Sequence, residues 1–204
     1  MPPRFGVTFR ARRALAALAA LLVMLLAAAC SSAAFDPSGP CSGDGRAAGA
    51  YPDLEALVPR SLDGRPPDTV DSGRNCTSAK LSTLAGHGVK ELKFAGSTWS
   101  SGPDAGTSIA VFSAPKLQAD WVHEFFLTGA ENASTTETVD ESKPVVNGRQ
   151  AFRIDALNGE SYQTVIDWQD GDRVRVVLVA SFIRDMSKAQ HEQHVQAALD
   201  AAGG

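Results

Sequence analysis

The chain's 204 residues are 44% apolar and 21% charged, which excludes collagen-like, low-complexity and wholly disordered classes and allows one globular domain plus appendages. Arg4, Arg10, Arg12 and Arg13 all precede Cys30 and no acid does, so 15 of the 19 basic residues remain beyond it against 23 acidic ones, a net charge of −8. A domain that acidic, with no local basic stripe, repels phosphate backbones, and nucleic acid is not an expected partner.

The first residues carry an address. Met1 to Arg13 is short and basic, Ala14 to Ala29 is an unbroken run of Ala, Leu, Val and Met, and Ala27-Ala28-Ala29 leads into Cys30. At about 16 residues the run falls short of the ~20 that a membrane-spanning helix needs, so it reads as a secretory signal over residues 1–29. Leu26-Ala27-Ala28-Ala29-Cys30-Ser31-Ser32 resembles the lipobox of bacterial lipoproteins. The resemblance implies that Cys30 becomes the first mature residue and carries the lipid that holds the protein to the outer face of the bacterial cell membrane. Cleavage without lipidation is the other reading, and Arg12-Arg13 leaves Sec and twin-arginine export both open.

Cysteine arithmetic agrees with an oxidising compartment. Once Cys30 is consumed by lipid, Cys41 and Cys76 remain as an even pair. Their bridge would close a loop of about 35 residues, worth roughly 3–4 kcal/mol by chain entropy. Two cysteines this far apart lack the paired spacing of a zinc site, and unpaired thiols are the other alternative.

Residues 30–50, the lipidated cysteine and a Ser-, Ala-, Gly- and Pro-rich stretch, have little to bury and are expected to form a flexible tether, with a single α+β domain over 51–204. Leu54, Leu57 and Val58 behind Pro52 predict a short helix ended by Pro59, and Arg60 to Asn75 reads as loop. Leu81 and Leu84 mark a second helix over Thr77 to Ala85. Strands at Val89 to Phe94 and Thr107 to Ser113 predict a hairpin. Ser113 and Pro115 then suit the start of the strongest amphipathic helix, with Leu117, Trp121, Val122, Phe125 and Phe126 on one face. Asn147-Gly148, Asn158-Gly159 and Asp170-Gly171 separate four β-rich segments, Thr138–Val146, Arg149–Ala156, Ser161–Trp168 and Asp172–Ser181, and predict a meander. Ser187 caps a last helix bearing Val195, Ala198, Leu199 and Ala202. The expected fold is α+β: an antiparallel sheet of about six strands, ending in the four-stranded meander and covered by helices, in the order α-α-ββ-α-ββββ-α.

That order, with hairpins through Val146-Asn147-Gly148-Arg149 and Trp168-Gln169-Asp170-Gly171-Asp172 and a closing helix, resembles the Mog1/PsbP-like superfamily over about Leu81 to Ala202. The resemblance implies a helix-covered antiparallel sheet with a binding or assembly role, and it carries no catalytic residue across.

Catalytic motifs are absent. His191 and His194 are three apart where a zincin helix needs four, and they read as a solvated helix face; His87 and His123 read as surface or packing residues. Gln163 replaces the second glycine of a nucleophile elbow around Ser161, and Asp167, Asp170 and Asp172 lack calcium-loop spacing and read as a charged hairpin tip. No metal or cofactor is expected. Among the aromatics, Trp99 lies in a polar run, Ser97-Thr98-Trp99-Ser100-Ser101, where it could stack on a ligand or partner or fold back over the sheet edge. The expectation is therefore a membrane-anchored extracytoplasmic lipoprotein with a non-catalytic binding or assembly role at the cell envelope. Its partners would be the membrane, through the lipid, and an envelope protein or a small hydrophobic ligand. The alternatives are an envelope hydrolase with carboxylates assembled by folding, which a cleft with two facing acids would mark, and a carrier of a small hydrophobe, which a deep apolar pocket would mark.

Overall fold

The computed structural model describes residues 35–102 and 105–203; the leader expected over 1–29 and the lipid-bearing role expected of Cys30 fall outside them. In chain order the elements are β1 (Gly45–Ala47), α1 (Pro52–Glu55), β2 (Thr69–Asn75), α2 (Ser78–Leu81), α3 (Thr83–Gly86), β3 (Leu92–Gly102), β4 (Ala105–Ser113) and α4 (Ala119–Asn132). Then follow β5 (Thr136–Ser142), β6 (Val145–Val146), β7 (Arg149–Asn158), β8 (Ser161–Asp170), β9 (Arg173–Phe182) and α5 (Lys188–Gly203).

The fold is mixed α and β with one antiparallel sheet, but the described residues contain nine strands instead of about six, in the order β1-β2-β3-β4-β9-β8-β7-β5 with β6 on β7. Two meanders meet where β4 pairs β9, from Gly106 opposite Ala180 to Phe112 opposite Val174. Inside the second meander the expected Thr138–Val146 strand is divided at Lys143-Pro144. Its first part pairs β7 from Thr136 to Ser142, and its second makes a tight hairpin with Arg149 and Gln150 around Asn147-Gly148. Both turn residues have positive φ, 50° and 76°, as a two-residue hairpin turn demands.

The additional strands are β1 and β2, from stretches that read as tether and loop. Gly73 explains why they escape a hydrophobic pattern: a Cβ there would strike the Gly45 carbonyl, Arg46 and Phe94, so close approach of backbones, not side-chain packing, makes this edge. The tether expected over 30–50 is correspondingly shortened, because residues 36–50 are fastened to the domain. The buried Arg74 guanidinium donates to the carbonyl oxygens of Asp36, Pro37, Gly39 and Pro40. Cys41 and Cys76 form the disulfide, with Cα atoms 5.5 Å apart. Beside it the Asp44 carboxylate accepts from the backbone N–H groups of Cys76 and Thr77 and from the Thr77 hydroxyl.

Helices cover both faces. Alternation along β3, β4, β8 and β9 sends Leu92, Phe112, Val165, Val174 and Val176 to the face under α2, α3 and α4, and Trp99, Ile109, Ile166, Trp168, Val177 and Val179 to the face under α5. Alpha-1 lies on the α5 side, where Leu54 and Val58 cover Ala95 and Val111. The expected second helix is broken into α2 and α3 at Ser82, whose φ is +46°. Helix α4 starts at Ala119, later than Ser113 and Pro115 predicted, because Lys116 has a φ of +62° and stops the helix from extending upstream. Ser187 caps α5 as expected: Gln190 N–H donates to its hydroxyl, and the Gln190 side chain accepts from Ser187 N–H in return.

Candidate functional site

The register between α4 and β8 builds the most conspicuous site. One helical turn rises 5.4 Å and two strand residues rise about 6.6 Å, so successive turns of α4 meet alternate residues of the antiparallel β8. At the first turn Gln169 acts as the missing cap: its Oε1 accepts from Ala119 N–H at 2.9 Å and its Nε2 donates to the Leu117 carbonyl. At the second turn His123 meets Asp167. Beyond it Phe126 and Ala130 of α4 and Val165 and Gln163 of β8 line an open groove.

That groove, of about 400 Å³, is lined by Phe125, Phe126, Ala130, Ala133, Val165 and Leu178 and by the polar Ser82, Thr136, Asn158 and Gln163. Beta-8 and β9 are central strands, yet Val165 and Leu178 are only half-buried, since α4 ends at Asn132 before its last turns close over them. Phe125 and Phe126 meet edge to face at 5.2 Å, and Phe126 stacks on Phe112 at 6.1 Å, which fixes the aromatic wall.

Next to the groove lies a buried ionic pair. Asp167 is 0% exposed, so it is no hairpin-tip residue, and it lies 3.6 Å from His123 Nδ1, an ion-pair distance too long for a hydrogen bond. His123 Nε2 is 2.8 Å from Glu141 Oε2, and its ring stacks on Phe152 at 4.9 Å. Burial pushes the Asp167 carboxyl up to about 6 against the opposing pull of His123. The Asp167 carboxylate, ahead of the opposing effect of burial, raises His123 above its ordinary value.

The other face holds a second polar set. His191, expected on a solvated helix face, is 2% exposed and lies on the same stripe as Val195, Ala198 and Ala202, while His194 is exposed. Its Nδ1 is 2.9 Å from Ser181 Oγ and its Nε2 is 2.9 Å from Thr164 Oγ1, which donates to Asp155 at 2.6 Å. Arg153 binds both oxygens of Asp155 and reaches Glu192 as well. A cleft of about 130 Å³ here brings Asp140 and Asp155 to facing positions, the arrangement that would mark a carboxylate hydrolase. Burial raises the Asp155 carboxyl, but Arg153 and the Thr164 hydroxyl outweigh burial and hold it below the ordinary range. With both oxygens engaged, Asp155 is poorly suited to act as a general acid or base.

Trp99 is 4% exposed, with its indole N–H donating to the Arg65 carbonyl at 3.1 Å. It is a core residue that walls a small recess, not an exposed stacking platform, because β3 continues through Ser100 and Ser101 where a polar loop was expected. His87 is exposed, stacked on Trp121 and bonded to Glu124. Among the described residues no three His, Cys, Asp or Glu side chains gather as a metal site, and no helix is long and apolar enough to cross a membrane. No protein-family model and no curated protein matches the chain.

Proposed function

We propose that the protein is an exported lipoprotein, anchored at the outer face of the cell membrane through Cys30, whose domain binds an apolar group of an envelope component in the groove beneath α4. The observation that carries the binding role is the groove itself. Its roughly 400 Å³ falls in the size range of ligand sites, and its lining is aromatic and aliphatic with a few polar groups. Leaving Val165 and Leu178 partly exposed on central strands forgoes apolar burial worth on the order of 25 cal/mol per Å², which a bound apolar group would recover. The anchor is supported by the basic, apolar, Cys30-ended leader, and the Cys41–Cys76 disulfide is consistent with an oxidising compartment. The resemblance to the Mog1/PsbP-like superfamily also favours a binding or assembly role over catalysis.

Two measurements separate address from activity. Cys30→Ala is expected to move the protein from the membrane fraction to the soluble one, and retention on the membrane would rule out the lipid anchor. Titration with the uncharged dye N-phenyl-1-naphthylamine is expected to give saturable, blue-shifted fluorescence that Leu178→Gln abolishes. Absence of saturable binding, or binding indifferent to Leu178→Gln, would rule out the groove.

A further inference from the structure

We propose that Ser181 is an activated nucleophile that takes the acyl group of a small ester, with His191 as its general base. The direction of every hydrogen bond in this chain of side chains follows from its far end. Arg153 holds Asp155 as a carboxylate, which only accepts, so the single Thr164 hydroxyl proton goes to Asp155. Thr164 Oγ1 must then accept from His191 Nε2–H. In the neutral ring this leaves the Nδ1 lone pair facing Ser181 Oγ at 2.9 Å, so the serine hydroxyl donates to His191. Burial, ahead of opposing carboxylate effects, lowers the imidazole below its ordinary value, which keeps Nδ1 free of a proton at neutral pH. Base, bridging hydroxyl and half-buried carboxylate thus stand in the order that activates a serine, with Thr164 interposed between the histidine and the acid.

A polar chain that served the core alone would end on a closed packing surface. This one ends on a recess of about 80 Å³ lined by Ser181, Trp99, Thr107, Arg65 and His194. At about 30 Å³ per water molecule the recess admits a two-carbon acyl group and no long chain, so the leaving group must lie outside it. Arg65 and His194 line the same space together with Asp63, and a β-bulge between Ser100 and Gly102 takes Ser101, another lining residue, out of the strand ladder.

In the reaction Ser181 Oγ forms a bond to the ester carbonyl carbon as its proton passes to His191 Nδ1. The tetrahedral adduct then expels the alkoxide, which takes the proton back from Nδ1 as the acyl C–O bond breaks. Water then bonds to the acyl carbon as one of its protons passes to the same nitrogen, the adduct expels Ser181 Oγ, which takes that proton back, and the acid product releases its proton to solvent as it becomes a carboxylate. Thr164, Asp155 and Arg153 are positioning residues, acting on the substrate only through His191.

The test uses the full chain in detergent with p-nitrophenyl acetate. A burst of nitrophenolate is expected, with acetyl mapped by peptide mass to Ser181 and no comparable burst from the octanoate ester. The burst should disappear in Ser181→Ala and fall by at least ~10²-fold in His191→Gln. Its rate should rise with pH to a plateau set by an imidazole titrating below its ordinary range, and Asp155→Asn should shift that profile. A natively folded wild-type chain that shows no burst, or acetyl found on lysines and not on Ser181, would overturn the proposal without recourse to any variant.

Discussion

Replacing Asp167 with Asn should stabilise the protein at alkaline pH. Asp167 is fully buried, its pKa is pushed up to about 6 from 3.8, and its oxygens have no hydrogen bond among the described residues. A raised folded-state pKa means that the native state binds the proton more tightly than the unfolded chain does. The stability tied to the protonated carboxyl is therefore complete below pH 3.8 and is lost as pH rises through about 6. At about 1.36 kcal/mol per pH unit, ionising Asp167 costs the fold on the order of 3 kcal/mol by pH 8. His123 acts with the same sign, because its raised pKa adds stability below 6.5 that is lost as pH rises through the folded value. Asp167→Asn keeps the volume, removes the charge and offers an amide N–H to the neutral His123 Nδ1. Urea unfolding followed by tryptophan fluorescence at pH 5, 6, 7 and 8 should show wild-type stability falling across the series and the variant's changing much less. At pH 8 the variant should gain up to ~3 kcal/mol, or about 6–12 °C in melting temperature for a domain of this size. A variant less stable than wild type at pH 8, or a wild type whose stability rises from pH 7 to 8, would refute the reasoning. His191, whose lowered pKa adds stability as pH rises to 6.5, opposes the trend at acidic pH, so pH 7 against pH 8 is the cleanest comparison.

The Cys41–Cys76 bridge closes a 35-residue separation, so Cys41→Ala with Cys76→Ala should lose roughly 3–4 kcal/mol in urea unfolding, and alkylation of the native chain should find no free thiol at either position until reductant is added. Arg74→Met should release residues 36–40, seen as faster limited proteolysis there while the protease-resistant core stays intact; an unchanged cleavage rate would contradict the role of the four carbonyl bonds. Gln169→Ala should cost about 1–2 kcal/mol, since it strips α4 of its only cap across to β8, and a neutral result would show that water replaces the amide without loss.

What was legible in the sequence was whatever had a period or a turn signature. The Asn-Gly and Asp-Gly hairpins located β7, β8 and β9, and three- and four-residue spacing located Phe125 and Phe126 on α4. Beta-1 and β2 were not legible, because their pairing depends on the small size of Gly73 and on a disulfide and an arginine reaching across 30 residues or more, none of which leaves a periodic trace. His191 is buried where its residue type suggests a solvated position, yet the sequence holds a signal for it. It stands one turn before Val195 on the inward stripe, and reading the stripe by position instead of by residue type would have placed it in the core. Asp167 was misjudged for want of strand order: alternation places it opposite Trp168, and only the central position of β8, covered on both faces, makes both buried. The groove depends on where α4 ends relative to β8 and β9, a three-dimensional fact that hydrophobicity alone does not encode.

The intact mass of the native, membrane-extracted chain without reduction tests most directly whether the protein is a lipid-anchored envelope protein with its domain tied by one disulfide. The expected result is residues 30–204 plus acyl chains, less the hydrogens lost to the Cys41–Cys76 bond. A mass showing an unprocessed leader, or a mature chain with no lipid, would contradict it.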